Sequence, residues 1–64
     1  MKVRDVIRVL SQDGWYLKRT TGSHRQFGHV TKRGTVTVAG HPSDEVPPKT
    51  LKSIWKQANL EETR

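Results

Sequence analysis

Apolar residues in the first dozen positions recur at helical spacing: Val3, Val6, Ile7 and Leu10 fall at i, i+3, i+4 and i+7, with Arg4, Asp5, Arg8 and Gln12 elsewhere. The spacing predicts an amphipathic helix over residues 2–13, stopped by Gly14 in a left-handed cap. Trp15-Tyr16-Leu17 then opens a strand that ends near Thr20 and runs into a turn at Gly22. Residues 24–30 read as a second strand around Phe27, and Thr31-Lys32-Arg33-Gly34 as a turn. Thr35-Val36-Thr37-Val38 alternates polar and apolar strictly, the pattern of a half-buried strand. Gly40, Pro42, Pro47 and Pro48 break regular structure, so residues 39–47 form a loop. Pro48 suits a first helical turn, and Leu51, Ile54, Trp55 and Ala58 extend a helix over 48–58 with Lys49, Lys52 and Lys56 toward water. The short links between strands imply an antiparallel meander. The fold class is therefore α+β, in the order α-β-β-β-α: a three-stranded antiparallel sheet with two helices on one face, in a single domain spanning residues 1–64.

Strand alternation then sorts the polar residues. If Phe27 enters the core, Arg25 and His29 share its side, while His24 and Gln26 point the other way. Val36 and Val38 face the helices, which leaves Thr35 and Thr37 on the open side with His24 and Gln26, bordered by Lys18 and Arg19 of the first strand. A bulge near Ser23 or Gly28 would reverse part of this assignment.

Charge gives the open side a meaning. Twelve Lys and Arg against six Asp and Glu leave a net charge of +6. From Gly14 to Ser43 there is no acidic residue, while Lys18, Arg19, Arg25, Lys32 and Arg33 all fall there. Such a segment favours a polyanion, and nucleic acid above an anionic membrane because the basic stretch is not an amphipathic helix. The chain has no Cys and no apolar run long enough for a membrane span, and it starts without the apolar segment of a secretory signal. These features predict a cytoplasmic protein with no membrane association.

RNA carries its own nucleophile, the 2′-hydroxyl, so a protein that cuts it needs chiefly a group that moves protons near neutral pH and cations that hold the phosphate. Imidazole, with an ordinary pKa of about 6.5, is the natural agent. His24 stands beside Gly22, which lets the backbone approach a phosphate, Ser23, which offers a hydroxyl and an N–H, and Arg25, which adds charge if the local turn brings it round. A surface His in a basic protein is nonetheless more often inert than catalytic. His29 lies on the opposite strand face and reads as a partly buried residue, and His41 as a loop residue within reach of a phosphate. Asp44 and Glu45 read as loop charges near the second helix. No His-Glu-x-x-His or thiolate spacing supports a metal site, and no phosphate-binding Gly-rich loop supports a nucleotide cofactor, so neither metal nor cofactor is expected. Trp15 and Trp55 suit base stacking as well as the core; helical spacing favours the core for Trp55, and the choice is closer for Trp15.

These residues together resemble a known family. The first helix ending in Gly14-Trp15, the Arg19-x-x-Gly22-Ser23-His24-x-x-Phe27 run, the Val36-Thr37-Val38 strand and the closing Thr50-Leu51-Lys52-Ser53-Ile54-Trp55-Lys56-Gln57-Ala58 look like the HicA (YcfA-like) mRNA interferases. The chain departs from that pattern at Lys49, where a Gly usually precedes the Thr, and at Ala39-Gly40, where Pro is common. The resemblance implies a double-stranded-RNA-binding-like fold and metal-independent cleavage of mRNA by the toxin of a type II toxin-antitoxin pair. It also implies neutralisation by a HicB antitoxin, and a catalytic His at position 24. RNA contacts are expected from Lys18, Arg19, Gly22, Ser23, Arg25 and Lys32. The rival from another class is a non-catalytic double-stranded-RNA-binding module; a DNA-binding subunit is disfavoured because no helix has a recognition face.

Overall fold

The computed structural model describes residues 1–60; residues 61–64 of the domain read from the sequence lie outside them. Helix α1 spans Val3–Gln12, strands β1, β2 and β3 span Tyr16–Thr21, His24–Gly28 and Val36–Ala39, and helix α2 spans Pro48–Gln57. The strands form one antiparallel sheet in the order β1-β2-β3. The expected α-β-β-β-α order thus holds, with β2 and β3 each about a residue or two from their sequence boundaries.

Local chemistry explains where each helix stops. Gly14 adopts φ +97, its N–H bonds to the Ser11 carbonyl, and the Trp15 N–H reaches back to Leu10. This Schellman cap satisfies carbonyls that the last helical turn leaves open. The same motif closes α2 with a non-glycine residue: Asn59 sits at φ 59, its N–H bonds to Lys56, and the Leu60 N–H bonds to Trp55. In both helices the chain turns sharply and sends the following apolar residue, Trp15 or Leu60, into the core.

At its start α1 lacks a Ser, Thr, Asp or Asn cap. Its open N–H groups are taken by the loop between β3 and α2: Val3 N–H bonds to the Asp44 carbonyl and Arg4 N–H to that of Pro42. The Asp44 carboxylate accepts the His41 N–H at 2.9 Å, while Glu45 pairs with the N-terminal ammonium. The acidic pair expected near the second helix therefore organises the approach to the first. The sequence reading missed this because both contacts cross some forty residues of chain.

The core lies between the sheet and the helices. Val3, Val6 and Leu10 of α1 and Ile54, Trp55 and Ala58 of α2 join Phe27, Val36 and Val38 of the sheet, with Trp15, Val46 and Leu60 closing the ends. Both tryptophans are buried, Trp15 at 2% and Trp55 at 5% exposure, so neither is available to stack on a base. No helix among the described residues is long and apolar enough to cross a membrane.

A polar clasp fastens one end of this core. The backbone N–H groups of Thr31 and Lys32 both point at His29 Nδ1, at 3.1 Å, which leaves the ring proton on Nε2 to be donated to the Asp13 carbonyl at 2.6 Å. The ring also meets Trp15 edge to face, with centroids 5.0 Å apart. Lys32 reaches past it to the Asp13 carboxylate and the Ala58 carbonyl, tying the β2–β3 loop to the ends of both helices. The Lys32 hydrogen bond, opposed by partial burial, holds the Asp13 carboxyl below the usual carboxylate range. A carboxyl whose folded pKa is depressed stabilises the fold fully above its unfolded value and loses that contribution as pH falls through the folded value. Asp13→Asn is therefore expected to lower the melting temperature at neutral pH and to flatten its decline on acidification, read by circular dichroism across a pH series. Parallel wild-type and Asp13→Asn curves would show that the pair contributes nothing.

Candidate nucleic-acid interface

Cross-strand register builds the face of the sheet away from the helices. Arg25 pairs with Val38 and Phe27 with Val36, and the buried valines and Phe27 put that set on the helix side. The other set forms three rows across the open face: Tyr16 beside Gly28; Arg19, Gln26 and Thr37; then Thr21, His24 and Ala39. Directly opposed residues in an antiparallel sheet share a face, so His24, Gln26 and Thr37 emerge together, as alternation requires. Thr35 lies just before β3 and outside the rows.

Lys18 enters by a different route. Leu17 pairs with Phe27 and Arg19 with Gln26, so Lys18 is the extra residue of a β-bulge. Simple alternation would send two successive cations to opposite faces; the bulge resets the parity and gives Lys18 and Arg19 to the same one. The Lys18 stem crosses β2 at Gly28, where an added Cβ would stand 2.6 Å from Lys18 Cδ. Neither Lys18 nor Arg19 forms an ion pair among the described residues, so both charges remain uncompensated.

His24 is the first residue of β2, exposed, and its side chain makes no hydrogen bond or ion pair among the described residues. The two-residue turn before it has Gly22 at φ 59, and Thr21 and His24 pair directly across it. A Cβ on Gly22 would touch nothing within 4 Å, so the residue is required by the backbone conformation of a tight hairpin rather than by lack of room. The Ser23 carbonyl accepts the Gly40 N–H at 3.1 Å, pinning the hairpin to the exit of β3. The imidazole therefore stands at a braced corner, with the exposed Gly22 and Ser23 on one side and the Gly40-His41 loop on the other.

Two expected cations stand elsewhere. Arg25 lies on the helix side and donates from Nη1 to the Gly40 carbonyl at 2.7 Å, bracing the loop beside His24. Lys32 is held by Asp13 and Ala58 at the clasp. The structure puts Lys18, Arg19 and His24 on one face of the sheet, with Gly22 and Ser23 in the turn beside His24, Arg19 one row and Lys18 two rows away, and it separates Arg25 and Lys32 from that face. His41 is exposed two residues beyond Ala39, the cross-strand partner of His24. Among the described residues no three His, Cys, Asp or Glu side chains gather as a metal site. A further stripe of cations, Lys49, Lys52 and Lys56, lines a shallow groove on α2 with Ser53, on a different surface from His24.

A polar sheet face, a cation pair made possible by a bulge, and a lone exposed imidazole at a braced hairpin define a small basic α+β domain suited to a phosphodiester strand. Residues 3–60 match the family model of the HicA toxin of bacterial toxin-antitoxin systems. The chain belongs to that family. No curated protein matches it closely enough to carry a more specific comparison.

Proposed function

We propose that the protein is a metal-independent endoribonuclease that cuts mRNA as the toxin of its toxin-antitoxin pair, with His24 as the proton-transfer group. The observation that supports this most is the exposed His24 imidazole on the same sheet face as Lys18 and Arg19, none of the three side chains having a hydrogen-bond or ion-pair partner among the described residues. RNA lies across the open face with its phosphates near those two cations and the Gly22-Ser23 turn. Neutral His24 takes the proton of a 2′-hydroxyl, whose oxygen attacks the adjacent phosphorus. The bond from phosphorus to the 5′-oxygen breaks, that oxygen takes a proton from water at this open surface, the hydroxide left takes back the proton held on His24, and the products are a 2′,3′-cyclic phosphate and a 5′-hydroxyl. Arg25 and Lys32 act through the fold: one braces the loop beside His24, the other fastens the core. An acidic HicB-type antitoxin that covers the basic face would silence the reaction by denying RNA the same charges.

Binding that rests on phosphate charge is salt dependent. Mixed with a single-stranded RNA, the purified protein is expected to cut it, with affinity falling as salt rises at a log-log slope of about −0.7 per phosphate contacted. Arg19→Ala should make that slope shallower by about one phosphate's share. Salt-dependent binding without any cutting would instead mark a non-catalytic RNA-binding module, and an unchanged slope in Arg19→Ala would remove Arg19 from the interface.

A further inference from the structure

Four of the five glycines have positive φ, at Gly14, Gly22, Gly34 and Gly40, and so meet a backbone demand. Gly28 does not, and what it avoids is steric. An added Cβ would stand 2.6 Å from Lys18 Cδ, 3.0 Å from Lys18 Cγ and 3.1 Å from the Tyr16 hydroxyl oxygen. The absent side chain lets Lys18 and Tyr16 lie down over β2 on the open face. Tyr16 is nevertheless 51% exposed, an aromatic ring left at the surface although the core lies just across the strand. Its row and the His24 row are four residues apart along β2, about 13 Å at the usual strand rise.

Resting on the nuclease reading and extending it, we propose that Tyr16, Lys18 and Gly28 form a nucleotide subsite that takes an unpaired base of single-stranded RNA a few nucleotides from the phosphate at His24. The Tyr16 ring supplies a stacking surface, which any base can use, and Lys18 meets the neighbouring phosphate. Gly28 keeps the floor low enough for both. A stacking ring with a cation beside it, on a stretch that has no acidic residue from Gly14 to Ser43, matches the alternation of base and phosphate along RNA, and neither Lys18 nor Arg19 forms an ion pair among the described residues. The subsite also favours single strands over duplex, because only an unpaired base offers its face to a ring lying on the sheet.

The test is binding, by fluorescence anisotropy, of a short single-stranded RNA whose every 2′-hydroxyl is methylated and which therefore resists this cleavage chemistry. Tyr16→Ala is expected to bind about 5- to 150-fold more weakly, the range that loss of one base-aromatic stack gives. Tyr16→Phe should stay close to wild type. Gly28→Ala should also weaken binding, since the new methyl pushes aside the Lys18 chain and the Tyr16 hydroxyl, while both variants keep the wild-type melting temperature. Moving a single abasic site along the RNA should find one position that weakens wild type and leaves Tyr16→Ala indifferent. Wild-type affinity in Tyr16→Ala, or the same abasic profile for both proteins, overturns the subsite, and the exposed ring on the free β1 edge would then suit docking of a protein partner. Because the probe cannot be cut, a missing nuclease activity leaves this result intact, and a missing subsite leaves cleavage of ordinary RNA intact.

Discussion

His24→Ala is expected to bind RNA with nearly wild-type affinity and to cut it about 10²- to 10⁴-fold more slowly, the usual contribution of a positioned proton-transfer group. The separation of the two effects follows from location. The imidazole is exposed and makes no hydrogen bond or ion pair among the described residues, so its removal opens no cavity and orphans no donor. The cations and the ring that would hold the strand lie one and two rows away. His24→Gln should be as inactive as His24→Ala, since an amide carries hydrogen bonds but accepts no proton near neutral pH. His29→Ala makes the informative contrast: it leaves two backbone N–H groups and the Asp13 carbonyl without their ring partner. It should therefore lose stability while each folded molecule still cuts. Full activity in His24→Ala would remove the imidazole from the chemistry whatever the fate of binding.

The largest stability effect is expected at Phe27. Its side chain is 2% exposed, sits opposite Val36 in the sheet and belongs to the core shared with the helices, while its own strand carries His24 at the other end. Phe27→Ala removes about 3–5 kcal/mol by lost burial and the cavity left behind. A chain of this length has roughly 3–10 kcal/mol in all, at the usual stability per residue. Phe27→Ala should thus be partly or wholly unfolded at 37 °C and toxic in no assay, whereas Phe27→Leu should fold with a lowered midpoint and keep cutting. Chemical denaturation gives the number directly. A change below about 1 kcal/mol would mean that β2 is not anchored by its aromatic residue.

The difference between these two residues also explains what could be read from the chain alone. Phe27 and His24 are an odd number of positions apart, so period-two alternation by itself put one inside and the other out. The same rule placed Arg25 on the helix side, where the structure finds it bonded to Gly40. Its proposed RNA contact depended on a turn bringing it round, and none does. Helix α1, its stop at Gly14, and β3 were legible because each is a local pattern with a local cause.

Features that depend on distant partners were not. Lys32 resembles any other loop cation until Asp13, nineteen residues earlier, comes beside it. Asp44 and Glu45 look like helix-capping charges for α2 until the fold lays their loop against the start of α1. The bulge at Lys18 has no local signature either: consecutive cations after an apolar residue are common, and only the pairing with β2 shows that both share a face. Gly28 did carry a signal. A glycine inside a strand, with no turn to make, marks a close approach by something else, here Lys18 and Tyr16.

The most direct measurement is of the ends left on a single-stranded RNA after incubation with the purified protein in excess chelator, read by mass spectrometry. Cleavage by a lone imidazole acting on the 2′-hydroxyl leaves a 2′,3′-cyclic phosphate on one fragment and a 5′-hydroxyl on the other, and both form about 10²- to 10⁴-fold more slowly with His24→Ala. Fragments that end in a 5′-phosphate and a free 3′-hydroxyl, or cutting that stops when divalent metal is removed, would contradict it.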